Sequence, residues 1–438
     1  MAGGNQVSIV FEDILFLKIF RAFRMAIQPT KLIITSAALS LICLSGWIMD
    51  FSKTVAVVRD SNNKIILTEL QVYTTHKDTR AGIERLRESG QRSGVFRILW
   101  GSAASNFKNA VNFVYMHNVL GVVSCISSFF KSLEWALKYH YIYCAVFFII
   151  VLAVMSAAGG AICRIAALQN AQGEKPGMTE AIRFSTKRFK SLFAAPLVPV
   201  FIILVIGMLI FITGLLGNIP LVGEIIIGLG MPVVLFAGTI IAVVLIGAFA
   251  GFNLMFPAVA YDGSDSFDSI SRSFSYVYAR PWRMLLYTSV AAIYGSICYT
   301  FVRVVAFLAL SVARAFLQIV IWTDNSSGQV NKLDAIWPRP TPINFYDSAA
   351  VSASTTPEKI SAALIYFFVL VIIGLVVSFI ISFYFSANTI IYSLLRNKVD
   401  NTAIDDVYTY HNEKDTEADI PEPIKDNKQS KSDSEPED

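Results

Sequence analysis

Long apolar runs alternate along this chain with shorter stretches in which apolar and basic residues recur at helical spacing. Six of the runs come close to the roughly 20 apolar residues that an α-helix needs to cross a bilayer. They are Leu32–Met49, Tyr141–Leu168, Ala195–Leu216, Pro232–Ala258, Met284–Val302 and Ile360–Tyr392. The pattern predicts an all-α integral membrane protein with about six transmembrane helices.

The stretch "GNIPLVGEIIIGLGMP", residues 217–232, follows the third run and is broken by glycine and proline. Because these residues mark turns, we predict a turn and then a short interfacial or re-entrant helix. Its acidic residue, Glu224, is a candidate for a transport-related role, since ionisable groups at membrane depth often mark ion pathways. The alternative is a carboxylate that simply faces water.

Three basic, amphipathic stretches precede apolar runs and predict helices that lie in the membrane interface. Two of them align as "EAIRFS" (180–185) and "DSISRS" (268–273). Their predicted apolar faces are Ile182, Phe189 and Phe193 in the first and Phe267, Ile270, Phe274 and Val277 in the second. The cations predicted to contact anionic headgroups are Lys18, Arg21, Arg24, Arg183, Lys187, Lys190, Arg272, Arg280 and Arg283.

The N-terminal stretch matches at its other end, where Pro29-x-Lys31 parallels Pro281-x-Arg283. These similarities predict three repeated units, 11–168, 178–258 and 266–396, each an interfacial helix followed by a hairpin of two spans. The alternative is that short basic loops resemble one another by chance or by shared constraint.

Charge is unevenly distributed along the chain. Only 16% of the residues are charged, against about 25% in soluble proteins, which also favours a membrane protein. From Asp400 onward 13 acidic residues accompany 4 lysines, a net of −9, and the overall +4 therefore leaves +13 for residues 1–399. The basic connections 169–194 and 261–283 are predicted to be cytoplasmic, which places both termini there.

Five regions are predicted. They are a cytoplasmic amphipathic helix (1–31), the first span (32–50), an extracytoplasmic α+β insertion (51–140), the remaining membrane core (141–396, with an outer loop at 322–357) and an acidic disordered cytoplasmic tail (397–438). Within the insertion, alternating β-branched residues on both sides of residues 60–63 predict a β-hairpin. Residues 78–90 predict a short helix, and residues 95–140 are expected to lie over the outer surface.

Two motifs carry a resemblance to known proteins, "NLMFPAVAYDG" (253–263) and "DSISRSFSYVYARPWR" (268–283). From about Ala161 to Ala315 the chain resembles a group of bacterial polytopic membrane proteins of mostly unassigned function, which includes the membrane domain of some glycerophosphodiester phosphodiesterases. The resemblance implies a multi-pass protein of the bacterial inner (cytoplasmic) membrane. It implies no activity, because the shared motifs contain no catalytic residue.

Sequence motifs for phosphate loops, nucleophile elbows, zinc proteases or redox dithiols do not occur, so we predict no catalysis and no cofactor. The leading hypothesis is a scaffold or accessory subunit that contacts anionic lipid and binds protein partners through residues 51–140 or the acidic tail. The alternative is a transporter or lipid-handling protein, which needs polar residues lining its spans. The candidates for such a lining are Thr239, Ser289, Ser296, Ser378 and Ser382.

Overall fold

The computed structural model describes residues 15–59, 65–75, 79–88, 91–220, 222–324, 330–342, 344–346 and 351–408. The helices are α1 (Arg21–Ala26), α2 (Pro29–Met49), α3 (Glu69–Thr75), α4 (Thr79–Glu88), α5 (Val95–Tyr115), α6 (Val119–Tyr139), α7 (Tyr141–Ala171), α8 (Met178–Lys187), α9 (Phe189–Ala194), α10 (Leu197–Leu216), α11 (Val222–Asp262), α12 (Ser266–Ala279), α13 (Pro281–Val320), α14 (Lys332–Ile336) and α15 (Thr356–Val399). Short 3₁₀ helices cover Leu15–Phe20 and Asp50–Ser52.

Seven of these helices are long and apolar enough to cross a membrane, namely α2, α6, α7, α10, α11, α13 and α15. Six contain the predicted runs, and α6 is the additional one. The protein is therefore a largely helical chain with the composition of a multi-pass membrane protein.

The centre of the bundle is built from α2, α7, α11 and α15, in which α7 and α15 contact each other and each contacts both α2 and α11. Small residues allow this close packing. A Cβ atom added at Gly159 would lie 2.6 Å from Phe385 Cζ, and one at Gly160 would lie 2.3 Å from Leu192 Cδ1. We call the end of the bundle at Asp262 and Arg396 the tail end, and the opposite end, where the β-sheet lies, the sheet end.

The β-hairpin predicted in the insertion is confirmed. Strands β1 (Val55–Arg59) and β2 (Ile65–Thr68) pair antiparallel, and β3 (Arg92–Ser93) pairs with the other edge of β1. The predicted turn between β1 and β2 lies outside the described residues. The short helix expected over 78–90 is α4.

Helices α5 and α6 form a hairpin that crosses the side of the bundle near its sheet end. The first turn of α5 donates backbone hydrogen bonds to Asp50, at the end of α2. The last residue of α5, Tyr115, bonds to Thr300 of α13. At about 1.5 Å per residue, both contacts lie about 30 Å from the tail-end starts of α2 and α13. The hairpin therefore runs across the bundle, although α6 has the length and composition of a span.

The predicted break before Pro232 is wrong. Helix α11 is continuous from Val222 to Asp262 and contains both Pro232 and Pro257. Proline removes one backbone donor and bends a helix, but an apolar helix can continue through it. The turn itself lies earlier, where a Cβ atom at Gly223 would be 2.3 Å from the carbonyl oxygen of Gly217.

The buried faces of the two aligned helices differ from the prediction. In α8 the buried residues are Ala181, Phe184 and Ser185, whereas Ile182 is exposed. In α12 the predicted Ile270 and Val277 are buried, but Phe267 is exposed and Ser269, Ser273 and Tyr276 are buried. In both helices small side chains, such as Ser185 and Ser273, lie against a neighbouring helix. The space available between the helices therefore determines which face is buried.

The acidic tail was expected from residue 397, but helix α15 continues to Val399. Residues 400–408, which we call the strap, then pack across the tail end of the bundle. Val407 is buried there, and the backbone N–H of Tyr408 donates to the carbonyl of Tyr261 at 2.9 Å. The predicted disorder of residues 409–438 concerns residues outside those described.

Candidate functional site

A buried polar face runs along the second half of α15. Its members recur at three- and four-residue spacing and so share one side of the helix. We call this face the polar seam, and it consists of Ser378, Ser382, Ser386, Thr389, Ser393 and Arg396, all buried. Polar residues buried among apolar helices are costly and often mark functional sites, so the polar seam is the candidate site.

The serines of the seam bond to other helices. Ser378 lies 3.0 Å from Ser36 Oγ, and Ser382 donates to the carbonyl of Ala26 at 2.9 Å. By contrast, Thr239 and Ser296 donate to carbonyls one turn back in their own helices. Of these four lining candidates, only the two on α15 therefore join helices together.

Lys31 lies against the middle of the seam and is fully buried. Its Nζ donates to Gln169 Oε1 at 3.2 Å and to Ser386 Oγ at 3.3 Å. Among the described residues no carboxylate pairs with it. A buried ammonium held only by neutral oxygens is energetically costly. Lys31 is therefore a candidate functional residue rather than a simple packing residue of the bundle.

Asp262, the last residue of α11, ends the seam at the tail end of the bundle. Its Oδ1 lies 3.1 Å from Arg396 Nε, and its Oδ2 lies 3.7 Å from an Arg272 guanidinium nitrogen. The Tyr392 hydroxyl also donates to Asp262. One buried carboxylate thus joins α11, α12 and α15.

Arg272 is further held by Asp268, one turn earlier in α12, at 2.9 Å. Burial opposes its charge, but the hydrogen bond that it donates to Asp268 and the nearby Asp262 carboxylate hold the pKa of Arg272 above its ordinary value. In the same helix, burial and then the Asp400 carboxylate raise the pKa of Tyr276, which donates its hydroxyl hydrogen to Asp400. Both groups therefore keep their ordinary protonation states at neutral pH.

The strap covers this ion-pair network. Arg396 donates to the Asp406 carbonyl at 2.6 Å, and the Tyr261 hydroxyl donates to the Ile404 carbonyl at 2.5 Å. The Arg188 guanidinium lies 5.4 Å from the ring centroid of Tyr408. The network and the strap together close the tail end of the bundle.

The other cations predicted to contact headgroups lie at the same end of the bundle, around the ion-pair network and the strap. Arg21, Arg24, Arg183, Lys187, Lys190 and Arg280 are exposed, and Lys18 and Arg283 are half-buried. Burial and then the neighbouring Arg21 lower the pKa of Lys18, while Asp405 of the strap raises it. Glu224 is exposed in the first turn of α11 and is not brought to the seam.

Sequence reasoning missed Lys31, Asp262 and Arg396 as members of one site. Each lies within a few residues of the end of a predicted span. Because these ends are predicted on the same side of the membrane, the sequence could have suggested an ion pair between Asp262 and Arg396. Another buried cation is Arg164 of α7, which donates to the Ala260 carbonyl at 3.1 Å and lies 4.7 Å from the ring centroid of Phe184.

In the described part of the chain, no group of three or more His, Cys, Asp or Glu residues is placed to hold a metal ion. Comparison of the chain with protein-family models, with curated proteins and with solved structures finds no match. The resemblance to bacterial membrane proteins stays a prediction.

Proposed function

We propose that the protein is a non-enzymatic, multi-pass scaffold or accessory subunit of a membrane assembly. The observation that carries this proposal is the hairpin of α10 and α11. Pro199 is the only buried residue of α10, and α11 has no buried residue between Gly223 and Gly247. Phe201 and Phe236 are among the large apolar side chains that this hairpin exposes. A hairpin with so few contacts to its own chain is available to the membrane helices of another protein.

Glycines provide a place for such helices to approach closely. Gly207 and Gly214 lie seven residues apart on one side of α10, and a Cβ atom at either would have no neighbour within 4 Å. Small residues at membrane helix faces permit close backbone contact between helices. We infer that this side of α10 receives a helix of the assembly.

The polar seam supports scaffolding over transport. Ser378, Ser382 and Ser393 bond to neighbouring helices, and the Asp262–Arg396 pair with the strap closes the tail end. Transport through the bundle would require these buried contacts to break in each cycle. A set of bonds of this kind stabilises one arrangement of the helices.

We also infer that the protein resides in the bacterial inner (cytoplasmic) membrane with both termini in the cytoplasm. The exposed cations at the tail end support this orientation, because basic residues favour the cytoplasmic side. Within residues 51–140, the part at the sheet end outside the α5–α6 hairpin would then contact protein partners on one side of the membrane, and the acidic tail would contact them on the other.

The aligned helices α8 and α12 support a correspondence between the second and third of the repeated units. Ser185 and Ser273 occupy the same place in the alignment, and both are fully buried. A Cβ atom at Gly160 would lie 2.9 Å from Ser185 Oγ, and one at Gly251 would lie 3.5 Å from Ser273 Cβ. Each serine thus lies against a glycine of the preceding span.

The experiment is affinity purification from the native host in mild detergent, with mass spectrometry of co-purifying proteins. Gly207→Leu with Gly214→Leu is compared with Gly374→Leu, a third glycine with open space in a span. We expect stoichiometric partners with the wild type and the control and their loss with the double variant. A partner-free wild-type protein would overturn the proposal.

The contribution of the acidic tail is tested in the same purification by deleting residues 409–438. The deletion begins after Tyr408 because the strap itself packs on the bundle. Reduced recovery of a cytoplasmic partner would assign that partner to the tail, and unchanged recovery of every partner would remove the tail from the proposal.

A further inference from the structure

An apolar cavity of about 370 Å³ lies between the α5–α6 hairpin and the bundle. Its size falls within the range of about 300–1,000 Å³ that is usual for ligand sites. The hairpin contributes Val114, Val122 and Ile126, and α15 contributes Phe379 and Phe383. Most of the lining is aliphatic or aromatic, with Asn253, Thr288, Ser296 and Asn388 as its polar members, so the cavity suits a hydrocarbon chain.

The cavity lies at the depth of the apolar part of a bilayer. On α13 its lining extends from Thr288 to Tyr299. Counted from Pro281 at about 1.5 Å per residue, these residues are about 10 Å and about 27 Å along the helix. The hydrocarbon core of a bilayer is about 30 Å thick, so with the start of α13 at the membrane boundary acyl chains would surround the cavity.

A polar groove of about 510 Å³ continues from the cavity toward the sheet end. Val111 and Tyr299 line both spaces, which makes them contiguous. Among the residues that the structure describes, the lining includes the cations Lys108 and Arg303 and no acidic residue. Arg303 lies about 33 Å from Pro281 along α13, which is the level of lipid headgroups.

The two cations are held at the groove in different ways. Arg303 donates to the Tyr299 hydroxyl at 2.9 Å and to the Pro342 carbonyl at 3.1 Å. Lys108 is half-buried, and none of the described carboxylates pairs with it. The groove therefore presents positive charge directly above an apolar cavity.

We propose that the cavity and the groove together bind one anionic phospholipid, with an acyl chain under the α5–α6 hairpin and its phosphate against Lys108 and Arg303. An anionic headgroup complements the two cations, and the contiguous apolar space excludes a purely polar ligand. Tyr115 and Thr300, whose hydroxyl oxygens are 2.7 Å apart, add hydroxyl groups at the phosphate level. Lipid binding here is independent of protein binding at the α10–α11 hairpin.

The test uses the full chain reconstituted in vesicles of equal parts phosphatidylglycerol and phosphatidylcholine. After extraction in mild detergent, native mass spectrometry counts the lipid that stays bound. We expect phosphatidylglycerol to be retained over phosphatidylcholine. Lys108→Gln should lower that retention about fivefold, the effect of one cation near an anionic group. Lys131→Gln, on the exposed side of α6, is the matched control and should behave as the wild type.

The apolar half of the site is tested with Ala292→Phe, which places a ring in the cavity, against Ile293→Phe on the exposed side of the same helix. Only the first should reduce retention of the lipid. Equal retention in the Lys108 and Lys131 variants, or equal retention of the two lipids, would overturn the proposal. Stabilisation by inorganic phosphate alone, without retained lipid, would overturn it as well.

Discussion

Arg396 of α15 and Asp262 of α11 form a buried ion pair, with 3.1 Å between Nε and Oδ1. Both side chains are about nine-tenths buried, and the strap lies across them. Without Arg396, the buried Asp262 carboxylate would keep only the longer contact with Arg272, at 3.7 Å, and its charge would be poorly compensated.

We expect Arg396→Gln to lower the free energy of unfolding in mild detergent by about 3–5 kcal/mol. Combining it with Asp262→Asn should cost less than the sum of the single changes, because the double variant leaves no lone charge. Arg183→Gln at the same end is exposed and should change stability by no more than about 0.5 kcal/mol. Strict additivity of the two substitutions would show that the pair is not coupled.

Gly263→Ala should destabilise the strap. Gly263 has φ +65°, and a Cβ atom there would lie 2.6 Å from Tyr408 Cγ. Gly173→Ala is the matched control, because Gly173 has φ +75° but open space around it. Both variants carry the backbone strain of alanine at positive φ, so the difference between their unfolding midpoints measures the contact with Tyr408. Limited proteolysis within 400–408 should increase only for Gly263→Ala.

Lys31→Met is expected to leave the unfolding midpoint unchanged or to raise it. Burying an ammonium costs several kcal/mol, and hydrogen bonds to two neutral oxygens offset only part of that cost. Lys31→Ala removes the same charge but leaves a cavity, and should lose about 2–5 kcal/mol. A large loss with methionine would mean that the fold needs the ammonium itself.

Glu69, in the insertion, should make stability depend on pH. Its carboxylate is fully buried and accepts hydrogen bonds from the Ala56 N–H at 2.9 Å and from Arg87 Nε at 3.2 Å. Burial raises the pKa, but the nearby His140 imidazole, whose Nε2 lies 3.7 Å from Oε2, and the hydrogen bonds from Ala56 and Arg87 outweigh it and hold the pKa of Glu69 below its ordinary value.

A lowered folded-state pKa contributes stability that is present above the unfolded pKa, about 4.3, and is lost as the pH falls through the folded value. Thermal unfolding from pH 7 to pH 3 should therefore separate the wild type from Glu69→Gln at neutral pH and bring them together in acid. Glu88→Gln, at an exposed position of α4, should follow the wild type throughout. Parallel curves for the wild type and Glu69→Gln would contradict this linkage.

The proposed orientation predicts which cysteines a membrane-impermeant maleimide reaches in intact cells. Lys53→Cys, exposed near the sheet end, should be labelled, and Lys175→Cys, exposed between α7 and α8, should be labelled only after lysis. Labelling of the unsubstituted protein measures the background from its five native cysteines. The reverse pattern would invert the topology.

The sequence by itself determined six of the seven long apolar helices, because the backbone of a long apolar run in a membrane satisfies its own hydrogen bonds as a helix; it missed α6 and the continuity of α11 through Pro232. The β-hairpin and α4 were likewise readable from local pattern. Only the tertiary structure decided which side of α8 and α12 is buried, since that depends on the glycines they meet. It alone joined Lys31, Asp262 and Arg396, which lie far apart in the chain. Periodicity in the sequence shows which residues share a helix face. Which neighbour that face contacts depends on how helices that are far apart in the sequence pack together.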